Sequence, residues 1–171
     1  SSSAGANDQH RLAALKNATD NFIWLRAELL SREFFMKIYR HGDTYIAPKG
    51  SFFDGNVKID GNFITPAETH IWGNIIVGGC LELGPHSTVG GYVEAESIVI
   101  GHDVRIKGPL HVLETATVCD NACLHSIRAG GNITLRPGVR VGDVNCAETI
   151  FVYGKVTSER LFGRAVKVYG I

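Results

Sequence analysis

The chain has 171 residues, with 17 Lys plus Arg balanced by 17 Asp plus Glu. Binding to a phosphate backbone calls for a basic face, so this balance argues against nucleic acid as the main partner. No run of 18 apolar residues occurs, so no segment reads as a membrane-spanning helix. Glycine is the unusual residue: 20 are present, about 12% against a norm of roughly 7%. Nearly all lie after residue 45, which divides the chain into two compositions.

Residues 1–6, a Ser/Ala/Gly stretch, read as a cloning remnant or a disordered linker. Residues 7–41 predict an amphipathic helical segment. Apolar residues recur at Leu12, Leu15, Ala18, Phe22, Leu25, Leu29, Phe34 and Ile38, mostly at steps of three and four. Asn7 or Asp8 can cap the start, and Gly42 is placed to end it. The stripe formed by Phe22, Trp24, Leu25, Leu29, Phe34 and Phe35 is the expected contact with the rest of the chain, a partner protein or a membrane surface. Basic and acidic residues are nearly matched here, whereas a surface-bound helix usually carries a strongly basic face. Capping of the rest of the chain or protein contact is therefore favoured over a membrane surface.

Residues 45–171 predict an all-β solenoid. Apolar pairs in alternating form recur at Val57/Ile59, Ile75/Val77, Leu81/Leu83, Ile98/Ile100, Val104/Ile106, Leu110/Val112, Ile133/Leu135, Val139/Val141 and Ile150/Val152. A period of two is the strand pattern. Gly, Asn, Asp or Pro separates these strands about every six residues. A longer period is superposed: Gly55, Gly73, Gly91, Gly108, then His125 in the same slot, then Gly142, at steps of 17 or 18. Three short strands per repeat of that length make one coil of a parallel β-helix, about six to seven coils in all. A sandwich would need longer strands at 8–12-residue spacing. Alternate residues should line the core, so Val99, between Ile98 and Ile100, should face solvent.

Such a solenoid leaves unpaired strand edges at its ends. Phe52 and Phe53 at one end, with Phe151, Phe162, Val166 and Val168 at the other, are the expected self-assembly residues.

The stretch Leu81-Glu82-Leu83-Gly84-Pro85-His86-Ser87-Thr88-Val89-Gly90-Gly91-Tyr92-Val93-Glu94-Ala95-Glu96-Ser97-Ile98-Val99-Ile100-Gly101 resembles the repeat of bactofilins, polymer-forming cytoskeletal proteins of bacteria. The likeness extends with breaks over 45–156. It implies a right-handed parallel β-helix that assembles end to end without nucleotide into nonpolar filaments or sheets. The family commonly carries flexible tails outside the β-helix, sometimes used for membrane attachment. Two features depart from its pattern: the helical segment 7–41, and the stretch Val118–Arg128, where Cys119, Cys123 and His125 replace Gly or aliphatic residues. An aliphatic every six residues at Ile71, Val77, Leu83 and Val89, and again at Ile106, Val112, Val118 and Leu124, also fits the left-handed β-helix of hexapeptide-repeat acyltransferases and γ-class carbonic anhydrases. That alternative is a trimeric enzyme. A third is a β-helical subunit that docks into a larger complex through 7–41.

Chemistry is sparse in the sequence. The seven histidines are His10, His41, His70, His86, His102, His111 and His125. Stacking at 17 or 18 residues puts His102 under Cys119 and His111 two coils under Cys146, with no third ligand for either pair. Cys119, Cys123 and His125 are the remaining metal candidates, with solvent-facing or gap-filling roles as the simpler reading. His86 and His102, both at Gly-flanked corners, are the positions to test as a general base. Glu94 and Glu96 read as an outward, solvated pair. No phosphate-binding loop follows the glycines, and no catalytic, cofactor or metal residue is expected. Four cysteines without a CxxC spacing, and no secretory leader pattern, favour reduced thiols in a cytoplasmic protein, membrane association being open.

Overall fold

The computed structural model describes residues 38–170, and within them the chain is all β with no helix. Residues 1–6 and the predicted contacts Phe22, Trp24, Leu25, Leu29, Phe34 and Phe35 lie outside the described residues. The end of the predicted helical segment is strand: β1 (Tyr39–His41) pairs antiparallel with β2 (Thr44–Ile46). Gly42, read from sequence as a helix stop, instead takes φ 62° at the first position of a two-residue hairpin loop. That conformation is the one a tight hairpin asks of glycine.

From β2 onward the chain winds through three faces, about seven turns in all, and every remaining pairing is parallel. The first face contains β2, β5 (Asn62–Thr65), β8 (Cys80–Leu83), β11 (Ser97–Ile100), β13 (Ala116–Val118), β15 (Ile133–Leu135), β17 (Thr149–Tyr153) and β19 (Ala165–Tyr169). The second begins with β3 (Phe52–Phe53), β6 (His70–Ile71) and β9 (Thr88–Val89). The third begins with β4 (Val57–Ile59), β7 (Ile75–Val77) and β10 (Val93–Ala95). Farther along, β12 (Arg105–Val112), β14 (Cys123–Ala129), β16 (Arg140–Cys146) and β18 (Thr157–Phe162) each run through the second and third faces as one strand.

Alternation builds the core. Tyr45, Phe63, Leu81, Ile98, Ala116, Ile133, Ile150 and Val166 fall in register along the first face. All nine apolar pairs read from the sequence are buried, and Val99 between its buried neighbours is 44% exposed. Slipping one strand by a residue would invert this set, so register is tightly specified. The corner between the second and third faces shows why glycine recurs there. A Cβ on Gly73 would lie 2.5 Å from the backbone of Gly55 in the coil before. Asn56 Oδ1 accepts a hydrogen bond from Asn74 N at 2.9 Å, and Asn74 Oδ1 accepts one from Tyr92 N at 2.9 Å. These side chains satisfy amides that the turn takes out of the strand ladder. From Gly108 onward the corner straightens into continuous strand, through Gly108 in β12, His125 in β14 and Gly142 in β16, and β12 and β14 shift register between Ile106 and Pro109.

The ends separate the expected assembly residues. Val166 and Val168 pair with the buried column residues Ile150 and Val152, yet are 41% and 68% exposed. They form part of the open cross-section of the last coil. Phe53 does not belong to a contacting surface: it is fully buried and packs edge-to-face on Phe63 at 6.5 Å. Phe52, Phe151 and Phe162 project from the sides of their coils, because each follows or precedes an inward residue. Phe52 packs edge-to-face with Trp72 at 6.0 Å, Phe151 lies under Lys167 Nζ at 5.9 Å, and Phe162 stands beside Asn145.

Candidate functional site

The corner between the first and second faces has an unusual backbone. Gly50, Glu68, His86, Asp103, Asn121 and Gly138 occupy it in successive coils, all with φ between 59° and 84°. Side chains seldom adopt that region, and His, Asp and Asn tolerate it better than most. Coil-to-coil hydrogen bonds hold it: Glu68 N to Pro85 O, His86 N to His102 O, Asp103 N to Asp120 O, and Asn121 N to Pro137 O. The residue after each left-handed position turns inward. Ser51, Thr69 and Ser87 are buried there, with Thr69 N donating to Ser87 Oγ at 3.1 Å and Thr69 Oγ1 to Pro66 O at 2.9 Å.

This corner gathers His86, His102 and Asp103. One ligating atom from each lies within 4.8 Å of the others, the one such group of three among the described residues. The two imidazoles meet edge to face with centroids 5.0 Å apart. Asp103 Oδ2 lies 2.7 Å from His102 Nδ1 and 4.0 Å from His86 Nε2. The hydrogen bond from His102, against a smaller opposing effect of desolvation and with help from the charges of His86 and His102, holds the Asp103 carboxyl below its ordinary pKa.

Beside this cluster runs an open groove of about 720 Å³. Its floor carries the outward residues of one column, Arg105, Cys123, Arg140 and Thr157, in register on β12, β14, β16 and β18. Asn121 and Lys155 join from the corner, as do His86 and Asp103. Three fixed cations against one carboxylate make the groove locally basic in a chain of zero net charge.

The sequence candidates fare unequally. His86 and His102 come together, with Asp103, which the sequence reading passed over. Their spacing of 16 falls outside the 17–18 repeat, because His86 occupies the left-handed slot and His102 the slot before it. His102 stacks on Asp120 rather than Cys119, since that coil step is 18. His111 stacks with Glu94, Arg128 and Asn145 on the outside, one residue out of register with buried Cys146. Cys119, Cys123 and His125 do not form a ligand group among the described residues. His125 points outward, with Nδ1 3.0 Å from Ser126 Oγ. Burial, reinforced by Asp120 and opposed by Arg136, pushes the Cys119 thiol up. Burial also pushes Cys146 up; its Sγ donates to Gly131 O and accepts from Glu148 N, a structural role. Neither thiol has the electropositive setting of a reactive cysteine. Glu94 is exposed on β10, whereas Glu96 sits half-buried at the following corner.

Comparison with protein-family models, with curated proteins and with solved structures returned no match.

Proposed function

We propose that this chain is a structural, self-assembling scaffold whose β-helices stack end to end without nucleotide. One observation carries the reading: the last coil presents Val166 and Val168, members of inward columns, to solvent. Beside them lie the outer edges of β18 and β19, which have no further strand to pair with among the described residues. Another coil laid on this surface would continue the ladder and cover both valines, each worth about 1.5–3 kcal/mol when fully buried. The resemblance to bactofilins supports the same reading. Cytoplasmic residence, and a contact role for residues 7–41 toward a protein or membrane surface, belong to this proposal as well. Negative-stain microscopy of the purified chain without nucleotide tests it. Filaments or sheets are expected; uniform small particles over a wide concentration range would contradict it.

A second reading has its own observation. The His86–His102 pair beside a groove could supply the general base of a trimeric hexapeptide-class enzyme. A stable trimer in sedimentation equilibrium, with no larger species, would favour it over the scaffold.

A further inference from the structure

We propose that His86, His102 and Asp103 bind one divalent first-row transition-metal ion within a single chain. Two imidazoles and a carboxylate are a borderline N/O donor set, suited to Zn²⁺, Ni²⁺, Co²⁺ or Fe²⁺ and unlike the all-oxygen shells of Mg²⁺ and Ca²⁺. The geometry is close to what such an ion needs. Bonds of about 2.0–2.2 Å hold tetrahedral ligand atoms roughly 3.4 Å apart. Here the two separations to Asp103 Oδ2 are 2.7 Å and 4.0 Å. One must open and the other close by less than an ångström, and the two imidazole nitrogens, within 4.8 Å of each other, must also draw together. Side-chain rotation can do this, because His86, His102 and Asp103 have side chains 54%, 53% and 41% exposed.

The backbone beneath them does not need to move. His86 and Asp103 occupy the same left-handed slot in adjacent coils, and His102 reaches the pair from the slot before it. Both amides of the slot are bonded to the next coil. The donors thus stand on stacked corner turns tied coil to coil by backbone hydrogen bonds, which favours a preorganised site. Three protein donors leave a fourth position for water or an exogenous anion, and the cations Arg105 and Arg140 flank the groove that leads to it. This inference does not rest on the scaffold reading, since all three donors belong to one chain and sit away from the last coil.

Calorimetric titration of the full chain with ZnCl₂, NiCl₂ and MgCl₂ tests it. One Zn²⁺ or Ni²⁺ per chain is expected, with no saturable binding of Mg²⁺. Asp103→Asn and His86→Asn keep residues that accept positive φ, so the corner should fold, and an unchanged β-type circular dichroism spectrum checks this. Each should weaken binding about tenfold or more, and His86→Asn combined with His102→Gln should abolish it. Absence of saturable Zn²⁺ and Ni²⁺ binding in the native chain would overturn the proposal. So would binding unchanged in the double variant, which would assign the ion to other residues.

Discussion

The two ends of the solenoid solve the same physical problem differently. At the N-terminal end the first-face edge is covered by β1, laid antiparallel on β2, and the other edges left unpaired among the described residues, β3 and β4, are two and three residues long. The core beneath is aromatic and closed: Phe53 and Phe63 are fully buried, Tyr45 is 9% exposed, and the Arg40 guanidinium lies over the Tyr45 ring at 5.8 Å. At the C-terminal end β18 and β19 present edges of six and five residues. The column residues of β19, Val166 and Val168, are aliphatic and open, whereas Ser158 and Leu161 of β18 are half-buried. The last coil is fastened instead from the outside, by Tyr169 stacked on Tyr153 at 4.9 Å and by Arg160–Asp143 and Arg164–Glu148 pairs at 3.6 Å and 3.3 Å. Short, covered edges resist pairing with other chains, and long straight ones invite it. Among the described residues, one edge of the solenoid is therefore short and partly covered, and the other is long and open.

Several substitutions sharpen that contrast, beginning with the largest effect on folding. Phe63→Ala should cost about 3–5 kcal/mol, as for other buried aromatic truncations. Val168→Ala, at the other end of the same face, should cost less than about 1 kcal/mol, because most of its surface is already in water. Urea unfolding of dilute protein measures both, and equal costs would erase the distinction between the ends. Next comes the glycine slot. Gly73→Ala should destabilise by about 1–3 kcal/mol, since its Cβ meets backbone at 2.5 Å. His125→Ala, in the same slot toward the other end, should be nearly neutral in the same assay. Smaller again, Tyr169→Ala should remove an aromatic contact worth about 0.5–1.5 kcal/mol. It should speed amide exchange in β19 and leave β5 and β8 unchanged.

The smallest effect expected is electrostatic. Asp103 has a lowered pKa in the folded chain, so its stabilising contribution is complete above the ordinary carboxylate value of about 3.9. It is lost as pH falls through the lower folded value. Melting temperatures of native and Asp103→Asn protein should differ slightly at neutral pH and converge in strong acid. A gap that widens on acidification would reverse the sign assigned here.

Much of the fold was legible because solenoid packing is written in short periods. The pairs from Val57/Ile59 to Ile150/Val152, and outward Val99, follow from alternation alone. The Gly55, Gly73, Gly91 and Gly108 slots follow from repeat length and mark a corner where backbones touch. The hairpin at the N-terminal end was not legible, because Gly42 fits a helix stop and a tight turn equally well. The ends were half legible. Hydrophobicity picked out Phe53 and Phe162 alongside Val168, but only register separates a buried ring, an outward ring and an open column. The His86–His102–Asp103 cluster was missed for a similar reason. Periodicity pairs residues in the same slot, and this cluster joins two adjacent slots across coils. The signal that could have found it is the run of residues tolerant of positive φ, His86, Asp103 and Asn121, at matching corners.

The most direct test of the open end is Val168→Arg, compared with the native chain by negative-stain microscopy and light scattering. The charge sits at a 68%-exposed position, so the coil should fold as before. On a newly buried interface it would be an unpaired cation, costly enough to prevent stacking. Filaments or sheets from the native chain, with only small particles from the variant, is the result expected. Assemblies of unchanged length and amount from Val168→Arg would contradict the assignment of that end as the contact surface.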